Sequence, residues 1–371
     1  MKKKLLAVLL SGCMVAGVLA GCGGSEAPAE GGDNAAAEGG KDDLHFEVVV
    51  KSFQSSYWQA AIQGIKQAEE ELGVTTNTTG PNAESDIADQ VTMLNNAINQ
   101  GPDGIALAAC DAKSVLPSLE QALAKEIPVV CFDAAVPEAA EGSVYATVVT
   151  NNEAAGAVAA DHIYETVKDT IMNATEQVRV GEVNQDATGA NIIERGMGFI
   201  DRFIELAAED GKTCAVIGND FYKNKAENTV AEADADIIIE VAVPAQTTVE
   251  LCATEAEKII NKKDTIAIFG SNQVSAEGLI TADANLNKLG TDPAKNIIAA
   301  GFDAGSAVKG AIKDGKFLGA VTQSPLMQGK LSIETLYKIC QGETVEDIET
   351  DGYWYDTTNM EDADIAPNLY D

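Results

Sequence analysis

Alternating patterns in the sequence predict an α/β protein with two doubly wound lobes, each built on a parallel sheet. Beyond residue 43, short runs of β-branched residues alternate with longer amphipathic runs. Apolar strands that alternate with helices are typical of parallel sheets covered on both faces. The series starts again near residue 152, and the roughly 330 residues beyond position 43 are many for one hydrophobic core but natural for two.

In the first series, each predicted strand is a short apolar run, and each predicted helix places apolar residues three or four positions apart. The helix over 58–72, for example, brings Ala61, Ile65 and Ala68 to one face. The predicted strands of this series are 46–50, 74–78, 105–109, 128–132 and 144–149. The other predicted helices cover 87–98 and 114–124.

The second series begins with a long helix from Asn152. A further helix runs through Phe199 and Phe203. The predicted strands of this series are 178–183, 237–241, 266–269, 297–301 and 318–321. Residues 212–236 fit the series less well, because a strand-like run at 213–217 and a helix-like run at 225–233 have no assigned place in it.

The first residues have the pattern of a secretion signal. Three lysines precede an apolar run over 5–20 that is too short, and too rich in Gly and Ala, for a comfortable membrane span. The run ends in Leu-Ala-Gly-Cys, which looks like a bacterial lipobox, although an ordinary signal peptide with a chance cysteine is the alternative. We therefore predict a signal peptide over 1–21, a lipidated Cys22, and a flexible acidic linker over 22–43.

The charge and cysteine content exclude several classes of function. The formal net charge is −33, which makes nucleic acid a poor partner. Five cysteines remain after Cys13 and Cys22, and their odd number and wide spacing do not indicate a disulfide framework. With no CxxC motif and only two histidines, no metal site is expected. No GxSxG elbow, P-loop or GxGxxG motif occurs, so we expect no cofactor and no enzyme.

Polar residues follow the predicted strands where each strand ends. The carboxyl ends of parallel strands share one edge of a sheet, and ligands bind in the crevice there. A single polar strand end is equally well explained as a helix cap, but many together favour a site. The polar segments begin at Ser52, Asp111, Asp133, Thr150, Ser271, Asp303 and Thr322.

The types of these residues describe a ligand. Carboxylates accept hydrogen bonds from hydroxyl groups, amides both donate and accept, and a guanidinium group donates in a fork. Aromatic faces pack against the C–H face of a ring. The combination suits a compact, uncharged polyol whose hydroxyls all need partners once they are buried.

Five segments resemble the ribose-type (type I) periplasmic sugar-binding proteins. They read KSFQSSYW (51–58), GPNAESD (80–86), IPVVCFD (127–133), ERGMGF (194–199) and GFD (301–303). The resemblance covers roughly residues 44–358 and rests on the order and spacing of these segments. It implies two Rossmann-like lobes joined by a three-crossover hinge, a sugar held between them, and docking of the loaded protein on an ABC permease.

Position by position, the resemblance implies a set of ligand-binding residues. Ser55 stands where the family often has Asn, and Ala134 stands where an Arg often follows the first-lobe carboxylate. An aromatic residue expected after strand 237–241 is absent, and residues 212–236 look like an insertion. The expected ligand-binding residues are Ser55, Tyr57, Trp58, Asp133, Arg195, Asn272, Asp303 and Gln323.

Several of these residues also have a structural interpretation. Trp58 could be a core residue at a helix start, and Arg195 could pair with Asp133 or Asp303 simply to tie the lobes together. Asp111 is better explained as a helix cap than as a ligand contact. For Lys51, a ligand contact and a structural ion pair are about equally plausible.

We expect an N-terminal lobe of 44–150 plus 324–352 and a C-terminal lobe of 151–323 plus 353–371. The expected function is the capture of a small sugar by hinge closure, in a monomeric exported protein that is lipid-anchored to the outer face of the bacterial membrane. The alternatives are a sensor module for a sugar-like signal or a nucleoside and, less favoured, a carbohydrate-active enzyme that uses Asp133 and Asp303. The departures from the ribose pattern leave the particular sugar open.

Overall fold

The computed structural model describes residues 44–370. The predicted signal peptide, the lipidation at Cys22 and the linker lie outside these residues. No helix within 44–370 is long and apolar enough to cross a membrane.

The described residues form fourteen strands and ten α-helices. The strands are β1 (His45–Val49), β2 (Thr75–Thr79), β3 (Gly104–Leu107), β4 (Val129–Phe132), β5 (Ala146–Thr150), β6 (Val178–Val183), β7 (Cys214–Gly218), β8 (Ile237–Ala242), β9 (Thr265–Gly270), β10 (Leu289–Gly290), β11 (Ile297–Phe302), β12 (Gly319–Thr322), β13 (Ile348–Thr350) and β14 (Tyr353–Tyr355). The helices are α1 (Ser56–Leu72), α2 (Ile87–Gln100), α3 (Leu116–Ala124), α4 (Asn152–Asn173), α5 (Ala190–Glu209), α6 (Asp220–Lys225), α7 (Val249–Ile260), α8 (Gln273–Leu286), α9 (Ser306–Lys313) and α10 (Pro325–Cys340).

The strands form two sheets, one in each of two lobes. The sheet of lobe 1 has the strand order β13-β5-β4-β3-β1-β2, and all of its pairs are parallel. The sheet of lobe 2 has the order β14-β12-β11-β9-β6-β8-β7, with β10 paired to β11. Its pairs are parallel except that β14 runs antiparallel to β12. The predicted α/β architecture with two parallel-sheet lobes is confirmed.

Apolar burial on both faces holds each sheet. Strands β3, β4, β6, β11 and β12 are buried at every position. Fully buried strands of this kind are the reason why the sequence shows continuous apolar runs rather than alternation.

The chain passes between the two sheets three times. It does so between β5 and α4, between β12 and α10, and between β13 and β14. Helix α10 follows a lobe 2 strand but packs against α1 of lobe 1, where a Cβ on Gly329 would lie 2.1 Å from the carbonyl oxygen of Ala61. The last crossing is made by β13 and β14, which were not predicted because three-residue strands show no periodicity.

Residues 212–236 add an edge to the sheet of lobe 2. Strand β7 pairs outside β8, as the strand-like run at 213–217 indicated. The prediction of a helix over 225–233 is wrong, because the helix of this segment is α6, which ends at Lys225. It begins at a cap where the Asn219 side chain accepts the backbone N–H of Phe221. Beyond α6, Asn228 has φ 57°, a left-handed conformation that an α-helix cannot contain.

Candidate functional site

A narrow cleft lies between the two lobes, where the carboxyl ends of the central strands face each other. All eight residues predicted for the ligand site line it. The lining residues are Lys51, Ser55, Tyr57, Trp58, Glu84, Asp133, Gln185, Asn191, Ile192, Arg195, Asn272, Gln273, Val274, Asp303 and Gln323.

Asp133 and Asp303 occupy equivalent positions in the two lobes. Each is the first residue after a central strand, β4 or β11, and each has a left-handed backbone, with φ 64° and 70°. The backbone N–H of each still donates to the neighbouring strand, Asp133 to Val148 at 3.0 Å and Asp303 to Val321 at 2.7 Å. Asp tolerates this conformation better than most residues, and such local strain is typical of functional sites.

Three donors surround the Asp133 carboxylate. The Tyr57 hydroxyl donates to it at 2.7 Å, the Asn191 amide at 3.1 Å, and the Lys51 ammonium lies 2.7 Å away. Burial opposes the charge of Lys51, but the attraction of Asp133 and Glu84 outweighs it and raises the Lys51 pKa above its ordinary value. Lys51, which follows β1, thus supplies a cation beside Asp133 where Ala134 has none. Of the two interpretations of Lys51, the structure shows the ion pair, and this pair lies in the cleft.

The Asp303 carboxylate is held by the hinge side of lobe 2. Its two oxygens accept the Gln323 side-chain amide at 2.8 Å and the backbone N–H of Gln273 at 2.9 Å. Burial raises the Asp303 pKa, while Arg195 and these hydrogen bonds oppose the shift. The Gln323 oxygen in turn accepts the Thr150 hydroxyl at 2.8 Å, so this group reaches the first crossover.

Arg195 is buried without a carboxylate hydrogen-bonded to it. Its terminal nitrogens donate to the Ser271 carbonyl and the Asn152 side chain, both at 2.8 Å, and its guanidinium lies 3.6 Å from the ring centre of Phe302. The alternative of an ion pair with Asp133 or Asp303 is therefore not observed among the described residues. The Arg195 Nε is buried and has no hydrogen-bond partner among those residues.

The two aromatic residues belong both to the core of lobe 1 and to the cleft wall. Tyr57 and Trp58 pack edge to face with ring centres 4.9 Å apart, and Trp58 also packs against Phe132. The Trp58 indole N–H donates to Glu84 at 2.7 Å. Trp58 is therefore a core residue of lobe 1, as one interpretation predicted, and it also lines the cleft.

Polar side chains of the two lobes hydrogen-bond across the cleft. Gln185 of lobe 2 donates to Glu84 of lobe 1 at 2.9 Å, and Asn191 joins Asp133 in the same way. Gln273 of lobe 2 donates to Ser56 at 3.2 Å. These bonds describe a closed arrangement of the lobes.

Two predicted site residues also cap helices. Ser55 accepts the Tyr57 backbone N–H at the start of α1. Asn272 forms a reciprocal capping box with Ser275 at the start of α8, and its amide donates to Gln185. Asp111 does not line the cleft, and its interpretation as a helix cap is also wrong. It accepts the backbone N–H groups of Lys113 and Ser114 in a turn, while the N-cap of α3 is Val115, which makes no side-chain cap bond.

Sequence reasoning did not select Glu84, Gln185, Asn191 or Gln273. Glu84 lies inside the segment 80–86 that supported the resemblance. Gln185 follows the predicted strand 178–183, so the strand-end rule applied to that strand would have found it. Asn191 carries no such signal, because it comes after a loop at the start of α5.

Comparison with known proteins gives one family and several relatives. The family described as "Periplasmic binding protein domain" matches residues 46–344. A ribose import binding protein of Bacillus subtilis (strain 168) is 22% identical over 308 residues, covering 83% of this chain and 85% of the relative. A ribose import binding protein of Haemophilus influenzae is 24% identical over 299 residues, covering 81% and 86%.

Solved structures share the fold over most of the chain. A protein of Brachyspira murdochii described as "ABC transporter, LacI family transcriptional regulator" is 31% identical, with a TM-score of 0.74 over 89% of this chain and 99% of that one. An ABC transporter solute-binding protein of Agrobacterium vitis with bound D-fucose is 25% identical, with a TM-score of 0.72 over 88% and 100%.

Proposed function

The chain belongs to the periplasmic binding protein family, and from this premise we propose that it captures a small sugar between its lobes and delivers it to an ABC permease. The observation that carries the proposal is the meeting of all eight predicted residues in one interlobe cleft. There three carboxylates, several amides, an arginine and two aromatic residues line a common space. These groups suit the hydroxyls and the C–H face of a sugar.

The relatives support a sugar as the ligand. The two curated relatives are ribose import binding proteins, and the Agrobacterium vitis protein was solved with D-fucose. Ser55, Ala134 and the absence of an aromatic residue after strand 237–241 distinguish this chain from the ribose pattern. We therefore propose a monosaccharide or related polyol and leave the choice among them to a binding screen.

Hinge closure is the proposed mechanism of capture. We assign 44–150 plus 324–352 to one lobe and 151–323 plus 353–371 to the other, with the three crossovers as the hinge. Asp133, Arg195 and Asp303 are at most 4% exposed, so a ligand reaches them only when the lobes part. A ligand that contacts both lobes favours the closed state by its differential affinity for that state.

A thermal-shift screen followed by calorimetry tests the proposal. The panel is D-ribose, D-arabinose, D-fucose, D-tagatose, D-glucose, myo-inositol and adenosine, each against the purified protein. One or more sugars should raise the melting temperature and bind with one-to-one stoichiometry. No response to any sugar, or a response to adenosine alone, would contradict the proposed ligand class.

Binding without turnover is part of the proposal. All three carboxylates that line the cleft are hydrogen-bonded by protein groups. Tyr57 and Asn191 donate to Asp133, Gln323 donates to Asp303, and Trp58 and Gln185 donate to Glu84. Incubation with p-nitrophenyl glycosides should release no more than one equivalent of nitrophenol. Multiple turnovers would favour the enzyme alternative.

We place the protein outside the cytoplasm, as a monomer held at the membrane by a lipid on Cys22. The family is extracytoplasmic, and the Leu-Ala-Gly-Cys motif supports the anchor. In cells labelled with radioactive palmitate, the native chain should carry label and sediment with membranes. A Cys22→Ser variant should lose both properties, and label retained by that variant would contradict the anchor.

A further inference from the structure

The segment 212–236 is the part of lobe 2 whose role the proposed function does not explain. Its strand β7 lies at the edge of the sheet, and α6 follows directly. Of the α6 residues, Tyr222 alone is buried, with no exposed surface. Strand β7 is held by its pairing with β8, whereas α6 is held against lobe 2 by one large buried side chain.

Tyr222 reaches the loop that leads into α5. Its hydroxyl lies 3.3 Å from the carbonyl oxygen of Asp186 and 3.4 Å from that of Ile192, within donating distance of either. Its ring fills the space beside Gly196, where a Cβ would lie 2.9 Å from Tyr222 Cε1. Tyr222 thus contacts residues 184–192 at Asp186 and at Ile192. We call this segment, the loop after β6 with the first turn of α5, the closure loop.

The closure loop carries contacts between the lobes. Gln185 donates to Glu84 at 2.9 Å, and Asn191 donates to Asp133 at 3.1 Å and accepts from Lys51 at 3.4 Å. Gln185 and Asn191 both line the cleft. The position of the loop therefore decides whether these bonds form when the lobes close.

The middle of the closure loop is ordered by its own turn. The Asp186 carboxylate accepts the backbone N–H groups of Thr188 and Gly189, at 2.9 and 2.7 Å. Tyr222 contacts this turn at the Asp186 carbonyl and the first turn of α5 at the Ile192 carbonyl.

We propose that Tyr222 of the segment 212–236 is a positioning residue that holds the closure loop where Gln185 and Asn191 meet lobe 1, and so prolongs the closed, ligand-bound state. The inference rests on the proposed function, which it deepens. A loop held in place before closure loses less conformational entropy on closing. Because these bonds hold the closed state and are broken while a ligand enters the open cleft, the effect falls on ligand release rather than on association.

The test compares two variants that each remove one tyrosine hydroxyl from lobe 2. Tyr222→Phe keeps the ring and removes the hydroxyl that lies within donating distance of the closure loop. Tyr164→Phe is the matched control, because the Tyr164 hydroxyl donates to Asp210 at 2.8 Å and Tyr164 lies on α4, apart from the loop. The probe is whichever of D-ribose, D-arabinose, D-fucose or D-tagatose binds native protein most tightly, followed by stopped-flow tryptophan fluorescence.

Tyr222→Phe should raise the release rate about three- to tenfold and leave the association rate unchanged, as expected for weakening one or two hydrogen bonds. Tyr164→Phe should change neither rate. Combined with Gln185→Ala, Tyr222→Phe should add little further effect, because Gln185→Ala already removes one of the contacts that the loop supports. Equal effects of the two tyrosine variants, or full additivity with Gln185→Ala, would overturn the proposal.

Hydrogen exchange of the sugar-free protein supplies a readout that needs no ligand. Amides of 184–192 should exchange faster in Tyr222→Phe than in native protein or Tyr164→Phe. Asn219→Ala, which removes the cap of α6 without touching the closure loop, should give an intermediate increase. Unchanged exchange in Tyr222→Phe would overturn the positioning role. If no sugar binds, the proposed function fails while the exchange result still decides the role of Tyr222.

Discussion

At the scale of single residues, the site depends on two aspartates that turn away from their strands. The left-handed backbone of Asp133 and Asp303 ends the strand pairing and lets each carboxylate lie in the cleft. Both carboxylates are then fixed by neighbouring donors rather than by solvent. The geometry of the cleft is thus prepared before a ligand arrives, which reduces the cost of ordering on binding.

Asp303→Asn tests the charge at this position without changing its shape. Asn tolerates a positive φ, so the backbone should persist, whereas Asp303→Ala would add strain. Loss of a charged acceptor should weaken sugar binding by at least about tenfold. Calorimetry gives the affinity and thermal unfolding the stability; native affinity in Asp303→Asn would remove this carboxylate from the site.

Glu182 is a buried carboxyl group whose pH behaviour can be measured. It has no exposed surface, and neither of its oxygens has a hydrogen-bond partner among the described residues. Burial raises its pKa well above the ordinary value, and the neighbouring Asn184 opposes this only in part. At pH values between the ordinary pKa and the raised pKa, the folded protein therefore keeps a proton on Glu182 that the unfolded chain releases.

Because this pKa is raised on folding, the contribution of Glu182 to stability is complete below the unfolded pKa, near 4, and is lost as pH rises through the folded pKa. Glu182→Gln should therefore stabilise the protein at pH 8, by on the order of 1 kcal/mol or more, and gain less at pH 5. Urea unfolding at the two pH values measures this. Glu176→Gln, at an exposed position of the same lobe, is the control and should show no such difference.

At the scale of elements, a close contact between the backbones of α4 and α5 holds Arg195 in place. Helices α4 and α5 touch through glycine, since a Cβ on Gly198 would lie 2.1 Å from the Glu153 carbonyl oxygen. Asn152 at the start of α4 accepts from Arg195 on α5. The distance between the two helices therefore sets the position of the guanidinium group.

Gly198→Ala should force α4 and α5 apart, destabilise the protein by about 1–3 kcal/mol and weaken sugar binding. Gly310→Ala is the matched control, because Gly310 also lies in a helix and a Cβ there would meet nothing within 4 Å. The control should be neutral or stabilising by about 0.5–1 kcal/mol. Chemical denaturation and calorimetry separate the two, and equal effects would contradict the close helix crossing.

At the scale of the whole molecule, a few polar hydrogen bonds between the lobes favour the closed state over the open state. The lobes meet in the cleft through hydrogen bonds such as Gln185–Glu84 and Asn191–Asp133. Water replaces such bonds at a net cost of only about 0.5–1.5 kcal/mol each. Without a ligand, the open and closed states should therefore be close in free energy.

Small-angle X-ray scattering should accordingly show a larger radius of gyration for sugar-free protein than for sugar-saturated protein. The physical reason is that the buried site residues admit a ligand only after the lobes part. Asp303→Asn at the same sugar concentration should retain the larger value. Identical scattering with and without a bound sugar would contradict hinge closure.

The sequence by itself determined the two-lobed α/β architecture through its local patterns, and its resemblance to the ribose-type family selected the eight residues that line the cleft. Periodicity is a local property, and the carboxyl ends of parallel strands meet at one edge whatever the loops do. Only the tertiary structure decided how these residues are paired. Lys51 replaces the missing cation beside Asp133, and Arg195 bonds Ser271 and Asn152 instead of a carboxylate. The contacts of Gln185, Asn191 and Tyr222 depend on loop conformation and on segments far apart in the chain, which no local pattern encodes.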